Sequence, residues 1–157
     1  MPFFEKAGIF LLLSCGCLSG IFCRRLERLR YRQALAFLNL LRTIRLEIDC
    51  FSTPLSRILP RCDRETLRDC AAGMPPEEDV RRLFSHAVLQ PPEIRRLLAE
   101  FSAQIGSGYR EEQLRCCTYY LERLAPYCDR LRAELPKREK AALLLPPALA
   151  LFLLLLI

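Results

Sequence analysis

Histidine occurs once in this chain, at His86, and none of the nine cysteines belongs to a Cys-x-x-Cys pair. Zinc sites need Cys and His ligands that converge at short spacings, so no metal is expected. A glycine-rich phosphate loop is missing, and so are a Ser-His-Asp order and a pair of carboxylates in a pocket-like context. The sequence sets no cysteine, serine or carboxylate beside His86, which reads as a surface histidine. No cofactor and no enzymatic activity are therefore expected. No stretch alternates at the two-residue period of a strand, and no internal repeat is evident. The net charge of +6 is moderate. It lacks the interleaved aromatics or the known motif that a nucleic-acid interface calls for, so nucleic acid is not an expected partner.

Charge itself is absent from two segments. Residues 7–23 and 141–157 are each 17 residues long and uncharged. Seventeen helical residues cover roughly 26 Å, the short limit for crossing a bilayer. Arg24, Arg25, Arg28, Arg30 and Arg32 follow the first segment; Lys137, Arg138 and Lys140 precede the second. Such basic flanks stay on the cytoplasmic side and suit anionic headgroups. Both ends vote for the same sidedness, with the middle inside. The division expected is an N-terminal transmembrane anchor over 1–23, a cytosolic helical domain over 24–140, and a hydrophobic or transmembrane segment over 141–157. A cleaved signal is disfavoured by the lone Lys6 and the missing Ala-x-Ala-like site. A lipoprotein signal at Cys15 is an alternative, opposed by the arginines that follow. Gly16 and Gly20 form a small-xxx-small pair suited to packing a membrane helix.

Between these ends the apolar spacing is helical throughout. Leu29, Gln33, Phe37, Leu41, Ile44 and Ile48 recur every three or four residues, broadened by Ala34, Leu38 and Leu40. No glycine or proline interrupts 24–51, so one long helix, continuous with the anchor, is predicted. It stops at Ser52-Thr53-Pro54. Thr53 suits an N-cap and Pro54 a first helical position, for a short helix carrying Leu55, Ile58 and Leu59 and ending at Pro60. Asp63 suits the cap of another helix, through about Ala72. Gly73 and Pro75-Pro76 break the chain. Glu77, Glu78 and Asp79 then open a helix with Val80, Leu83, Phe84, Ala87 and Val88 as its core face. Pro91-Pro92 start a further helix through Ile94, Leu97, Leu98, Phe101 and Ile105, with Gly106 as its left-handed C-terminal cap. The last helix begins near Tyr109. Leu114, Cys117, Leu121, Leu124, Cys128, Leu131 and Leu135 mark its heptad seam, as in a coiled coil. Pro126 should kink it, Pro136 and the basic cluster close the soluble part, and Pro146-Pro147 should keep the first turns of the tail from forming a straight helix.

The fold class is therefore all-α. A membrane-anchored bundle is built on a long antiparallel pair of N- and C-terminal helices, with short helices capping it. Most of the cysteines read as reduced thiols, small hydrophobes in the case of Cys117 and Cys128. The vicinal pair Cys116–Cys117 is the one place for a redox alternative. Glu47 is either a partner contact or half of a surface ion pair. Gln113 suits a bond to the Gly106 turn or a bridge to another helix.

Three motifs occur in order. They are Cys23-Arg24-Arg25-Leu26; Leu41-Arg42-Thr43-Ile44-Arg45-Leu46-Glu47-Ile48 running on to Thr53-Pro54-Leu55; and Gly106-Ser107-Gly108-Tyr109-Arg110-Glu111-Glu112-Gln113. With the apolar C-terminal segment they make nearly the whole chain resemble the stage III sporulation protein AB family of endospore-forming bacteria. Tyr109 and Pro146-Pro147 depart from the family pattern. The resemblance implies a domain similar to the cytoplasmic helical domains of F-type inner-membrane proteins of type II secretion and type IV pilus systems. It further implies a scaffold role in the mother-cell membrane, in a secretion-like complex. Its partners there would be other stage III sporulation proteins, including the ATPase stage III sporulation protein AA, and a homo-oligomer is compatible with it.

Overall fold

Beyond Pro2 no proline occurs before Pro54, and residues 2–51 form one helix. The computed structural model describes the backbone of 2–51, 54–71, 79–106 and 108–156, without the side chains of 2–7, 9, 12, 13, 55, 81 and 153–156. Helix α1 runs Pro2–Phe51. After it come α2 (Leu55–Ile58), a 3-10 turn (Leu59–Arg61), α3 (Arg64–Cys70), α4 (Val80–Ser85), α5 (Pro92–Gln104) and α6 (Arg110–Leu156). The described residues form no strand, as the all-α reading requires.

Local chemistry sets most of the boundaries. Asp63 accepts a hydrogen bond from the Thr66 amide at 3.1 Å and caps α3, satisfying a donor that the helix start leaves free. Pro91 is the N-cap of α5, and Pro92 its first residue, where a missing N–H costs nothing. Gly106 follows the end of α5 with φ 86°, the left-handed conformation that glycine adopts without strain. Thr53, Gly73, Pro75, Pro76, Glu77 and Glu78 lie outside the described residues.

Four expectations need correction. Pro54 is the N-cap of α2 in an extended conformation, not its first helical residue. Pro60 lies inside the 3-10 turn, near its start, where the lost N–H is again harmless. Val88 is 60% exposed because α4 stops at Ser85 and residues 86–90 turn through Val88 N–H to His86 O and Gln90 N–H to Ala87 O. The helical period no longer applies there. Finally, α6 is helical through Pro126, Pro136, Pro146 and Pro147, so the first turns of the tail are helix despite Pro146-Pro147. Each proline removes one backbone donor, and neighbouring turns carry the helix across.

The chain divides into two compact units, one comprising Met1–Arg28 with Arg132–Ile157 and the other Leu29–Leu131. The core of the second unit is a ladder of rings. Phe37 of α1 meets Phe84 of α4 at 5.2 Å, Phe84 meets Phe101 of α5 at 5.1 Å, and Phe101 meets Tyr120 of α6 at 5.4 Å. Tilted and edge contacts of this kind contribute beyond plain burial. Leu40, Leu41, Ile44, Leu83, Leu98 and Leu124 fill the space around them, fully buried. Of the predicted α1 face only Leu29 is largely exposed. The carbonyl of its neighbour Arg30 faces Gln90 instead.

Candidate functional site

In the first unit the sequence supplies grease, then charge, on both helices. Gly16 and Gly20 lie one turn apart on α1, and both meet α6. A Cβ at Gly16 would stand 3.1 Å from the Ala150 Cβ and 3.3 Å from the Pro146 carbonyl oxygen. A Cβ at Gly20 would stand 3.2 Å from the carbonyl oxygens of both Ala142 and Leu143. The small-xxx-small pair therefore serves this chain's own C-terminal helix. Below it, Arg24 Nε donates to Glu139 at 3.3 Å. Arg28 donates twice to the same carboxylate, from Nε and from Nη2, the latter at 3.1 Å. As α1 numbers fall from 28 to 16, their α6 partners rise from 139 to 150.

Glu139 is held below the usual carboxylate range, chiefly by the Arg28 hydrogen bond, with Arg24 adding to it against partial desolvation. Arg28 is raised in return. A second ion pair joins the helices, Arg138 to Glu27 at 3.7 Å, while Arg138 also bonds Glu134 within α6. Arg25, Lys137 and Lys140 are exposed. On the apolar side Phe10 is 75% exposed and Leu18 67%, with Phe22, Leu144 and Leu145 close behind. Among the described residues no helix is long and apolar enough to cross a membrane. Both uncharged runs reach into residues whose side chains lie outside the described set.

The second unit holds the remaining predicted residues. Glu47 accepts from Arg61 Nη1 at 3.3 Å, tying α1 to the 3-10 turn, so its partner is an arginine beyond α1. Gln113 Nε2 donates to the Gly108 carbonyl at 3.0 Å, within the turn that precedes α6. Glu112 accepts from the Tyr109 amide at 3.2 Å, which supplies the helix-start cap that Tyr109 cannot. Gly106 and Pro54 act through backbone geometry. The Leu55 side chain lies outside the described residues. Between α1 and α3 an open groove of about 470 Å³ has Leu35, Ala36, Asp63, Glu65 and Asp69 among its lining residues. Arg32 of its lining is bonded to Asp69 at 2.9 Å.

Two features escaped the sequence reading. Gln33, counted there as part of an apolar face, is buried. Its Nε2 donates to the Cys70 carbonyl at 2.9 Å and to the His86 carbonyl at 2.8 Å. Gln90 Nε2 donates to Arg30 O and to Gln33 Oε1, and the Tyr127 hydroxyl donates to Gln90 Oε1 at 2.9 Å. A glutamine in an otherwise apolar helical face was the available signal. The other feature is Arg110. It donates to the carbonyls of Ile48 and Asp49 and to the Asp49 carboxylate, capping the end of α1 with a cation.

Five thiols of the second unit are shifted away from the thiolate form. Burial pushes Cys117 up to about 12, helped by Cys116 and opposed by Arg45. Cys128 is pushed up to about 11, and Cys62, Cys70 and Cys116 are also raised, in every case mainly by burial. Reactive cysteines need the opposite shift. Cys15 is exposed within α1. Among the described residues no group of three or more His, Cys, Asp or Glu side chains could hold a metal ion.

An all-helical protein whose buried glutamines are spent on joining its elements is what these features define. The chain belongs to the stage III sporulation protein AB family, whose model matches residues 6–157. No curated protein and no solved structure matches it. Its place is thereby among sporulation proteins.

Proposed function

We propose that this chain is a non-enzymatic scaffold held in the mother-cell membrane by its two apolar ends, which pair antiparallel as a hairpin. The helical domain, facing the cytoplasm, docks a cytosolic ATPase and other components of a secretion-like complex. One observation carries the reading: large apolar side chains of the first unit stand exposed to one side of a cationic zone supplied by both helices. Water penalises such a surface at roughly 25 cal/mol per Å², and a bilayer removes the penalty while the cations stay at its interface. Buried polar groups of the second unit support a structural task, because all of those traced above serve helix packing. The groove between α1 and α3, with Asp63 and Glu65 in its lining, offers a surface for a basic partner segment.

Two measurements test this. Cytoplasm-dependent and export-dependent reporters fused at residue 90 and at the C-terminus should report a cytoplasmic middle. External protease on intact protoplasts should leave the central region whole, and cleavage there from outside would refute the assignment. The redox alternative at Cys116–Cys117 requires thiolates that burial opposes. The lipoprotein alternative predicts palmitate incorporation lost in Cys15→Ala, and none is expected.

A further inference from the structure

Within the first unit, α1 carries Leu18, Phe22 and Arg25 at spacings of four and three, all exposed. They form one stripe that passes from apolar to cationic. On α6, Leu151, Leu144, Lys140 and Lys137 do the same, at spacings of seven, four and three, again exposed. The contacts of Arg24 and Arg28 with Glu139, and of Gly20 with Ala142 and Leu143, bring the two changes of polarity to one level. Glu139 engages Arg24 and Arg28, whereas no acidic partner within the described residues engages Arg25, Lys137 or Lys140. Each stripe is thus an apolar track ending in an available cation.

We propose that Arg25, Lys137 and Lys140 bind the headgroup phosphates of acidic phospholipids, whose acyl chains lie along the Leu18–Phe22 and Leu144–Leu151 tracks. The inference rests on the membrane assignment above and adds lipid selectivity to it. Neutralisation by Glu139 makes Arg24 and Arg28 a clamp, and leaves recognition to the cations outside it. A lysine or arginine near an anionic surface contributes a factor of roughly five in binding, screened by salt within about 10 Å at 0.1 M.

The full chain, diluted from detergent onto phosphatidylglycerol or phosphatidylcholine vesicles and floated on a density gradient, tests the proposal. Wild type should prefer phosphatidylglycerol, less so at high salt. The triple variant Arg25→Gln/Lys137→Gln/Lys140→Gln should enter phosphatidylcholine as wild type does, with unchanged helical circular dichroism, but lose the preference by up to roughly a hundredfold. Arg25→Lys/Lys137→Arg/Lys140→Arg should keep it. Equal partition of wild type into both lipids overturns the inference while leaving the membrane assignment standing. Failure to float with either lipid overturns both. Abolition of the preference by equimolar glycerol phosphate overturns the lipid as the source of the phosphate.

Discussion

Tyr127 donates its hydroxyl hydrogen to Gln90 Oε1 at 2.9 Å, inside the core of the helical domain. The bond joins α6 to the loop before α5. Because Gln90 in turn holds Arg30 O and Gln33, one phenol helps to fix α1 as well. Buried networks of this kind specify a single arrangement when every member is satisfied.

Tyr127→Phe therefore leaves Gln90 short of a donor, and should cost about 1–2 kcal/mol in the chemical unfolding of the helical domain. Gln33→Leu strands the carbonyls of Cys70 and His86 as well as a Gln90 donor, and should cost more. Equal stability of Gln33→Leu and wild type would show that the network is dispensable.

Leu124 is fully buried on the α6 seam, while Leu121 is only partly covered. Leu124→Asp forces an unpaired carboxylate into the core, at a cost of at least ~4 kcal/mol, comparable with the whole stability of a small domain. Thermal unfolding should be abolished in Leu124→Asp and lowered, not lost, in Leu121→Asp. Wild-type-like melting of Leu124→Asp would refute the packing.

Glu139 has its folded pKa depressed, so the stability it contributes is present above the unfolded glutamate value of about 4.3. That contribution fades as pH falls through the lower folded value. Carbon-detected NMR titration should place Glu139 below model-peptide glutamates. Arg28→Gln, which removes the leading cause, should bring it back toward them.

The buried thiols should be silent. With a pKa near 12, Cys117 is ionised on the order of one part in a hundred thousand at pH 7. Alkylating reagents should label Cys50 in the folded chain and reach Cys117 and Cys128 only after denaturation. A cysteine-free variant should still fold, and its collapse would overturn the reading of these residues as small hydrophobes.

The long helices, the caps at Asp63 and Gly106 and most of the core face were legible because helical period and capping chemistry are local. Gln33 showed its position but not its purpose, since its partners are carbonyls brought near by tertiary packing. Arg110 gave no signal at all: it caps a helix that ends more than fifty residues earlier in the chain. Val88 was misread because nothing in its own spacing reveals that α4 stops at Ser85. Glu47 left open a partner contact or an ion pair, and Arg61, which it engages, lies beyond a turn whose path the spacing does not fix. Gly16 and Gly20 announced close helix packing, and only the folded chain shows that the neighbour is internal.

Pro146 and Pro147 lack the amide hydrogens that would bond the carbonyls of Ala142 and Leu143 in an unbroken helix. Those two oxygens lie opposite Gly20, where α1 presents no side chain. Sliding α1 by one turn, roughly 5.4 Å, would bring either Arg24 or Gly16 to that level. In the first case a guanidinium leaves its carboxylate for an oily seam; in the second Arg28 is carried away from Glu139. Translation along the helix axis is thus opposed in both directions. A force applied at one end of this pair is transmitted as through a keyed shaft, not absorbed as by a piston.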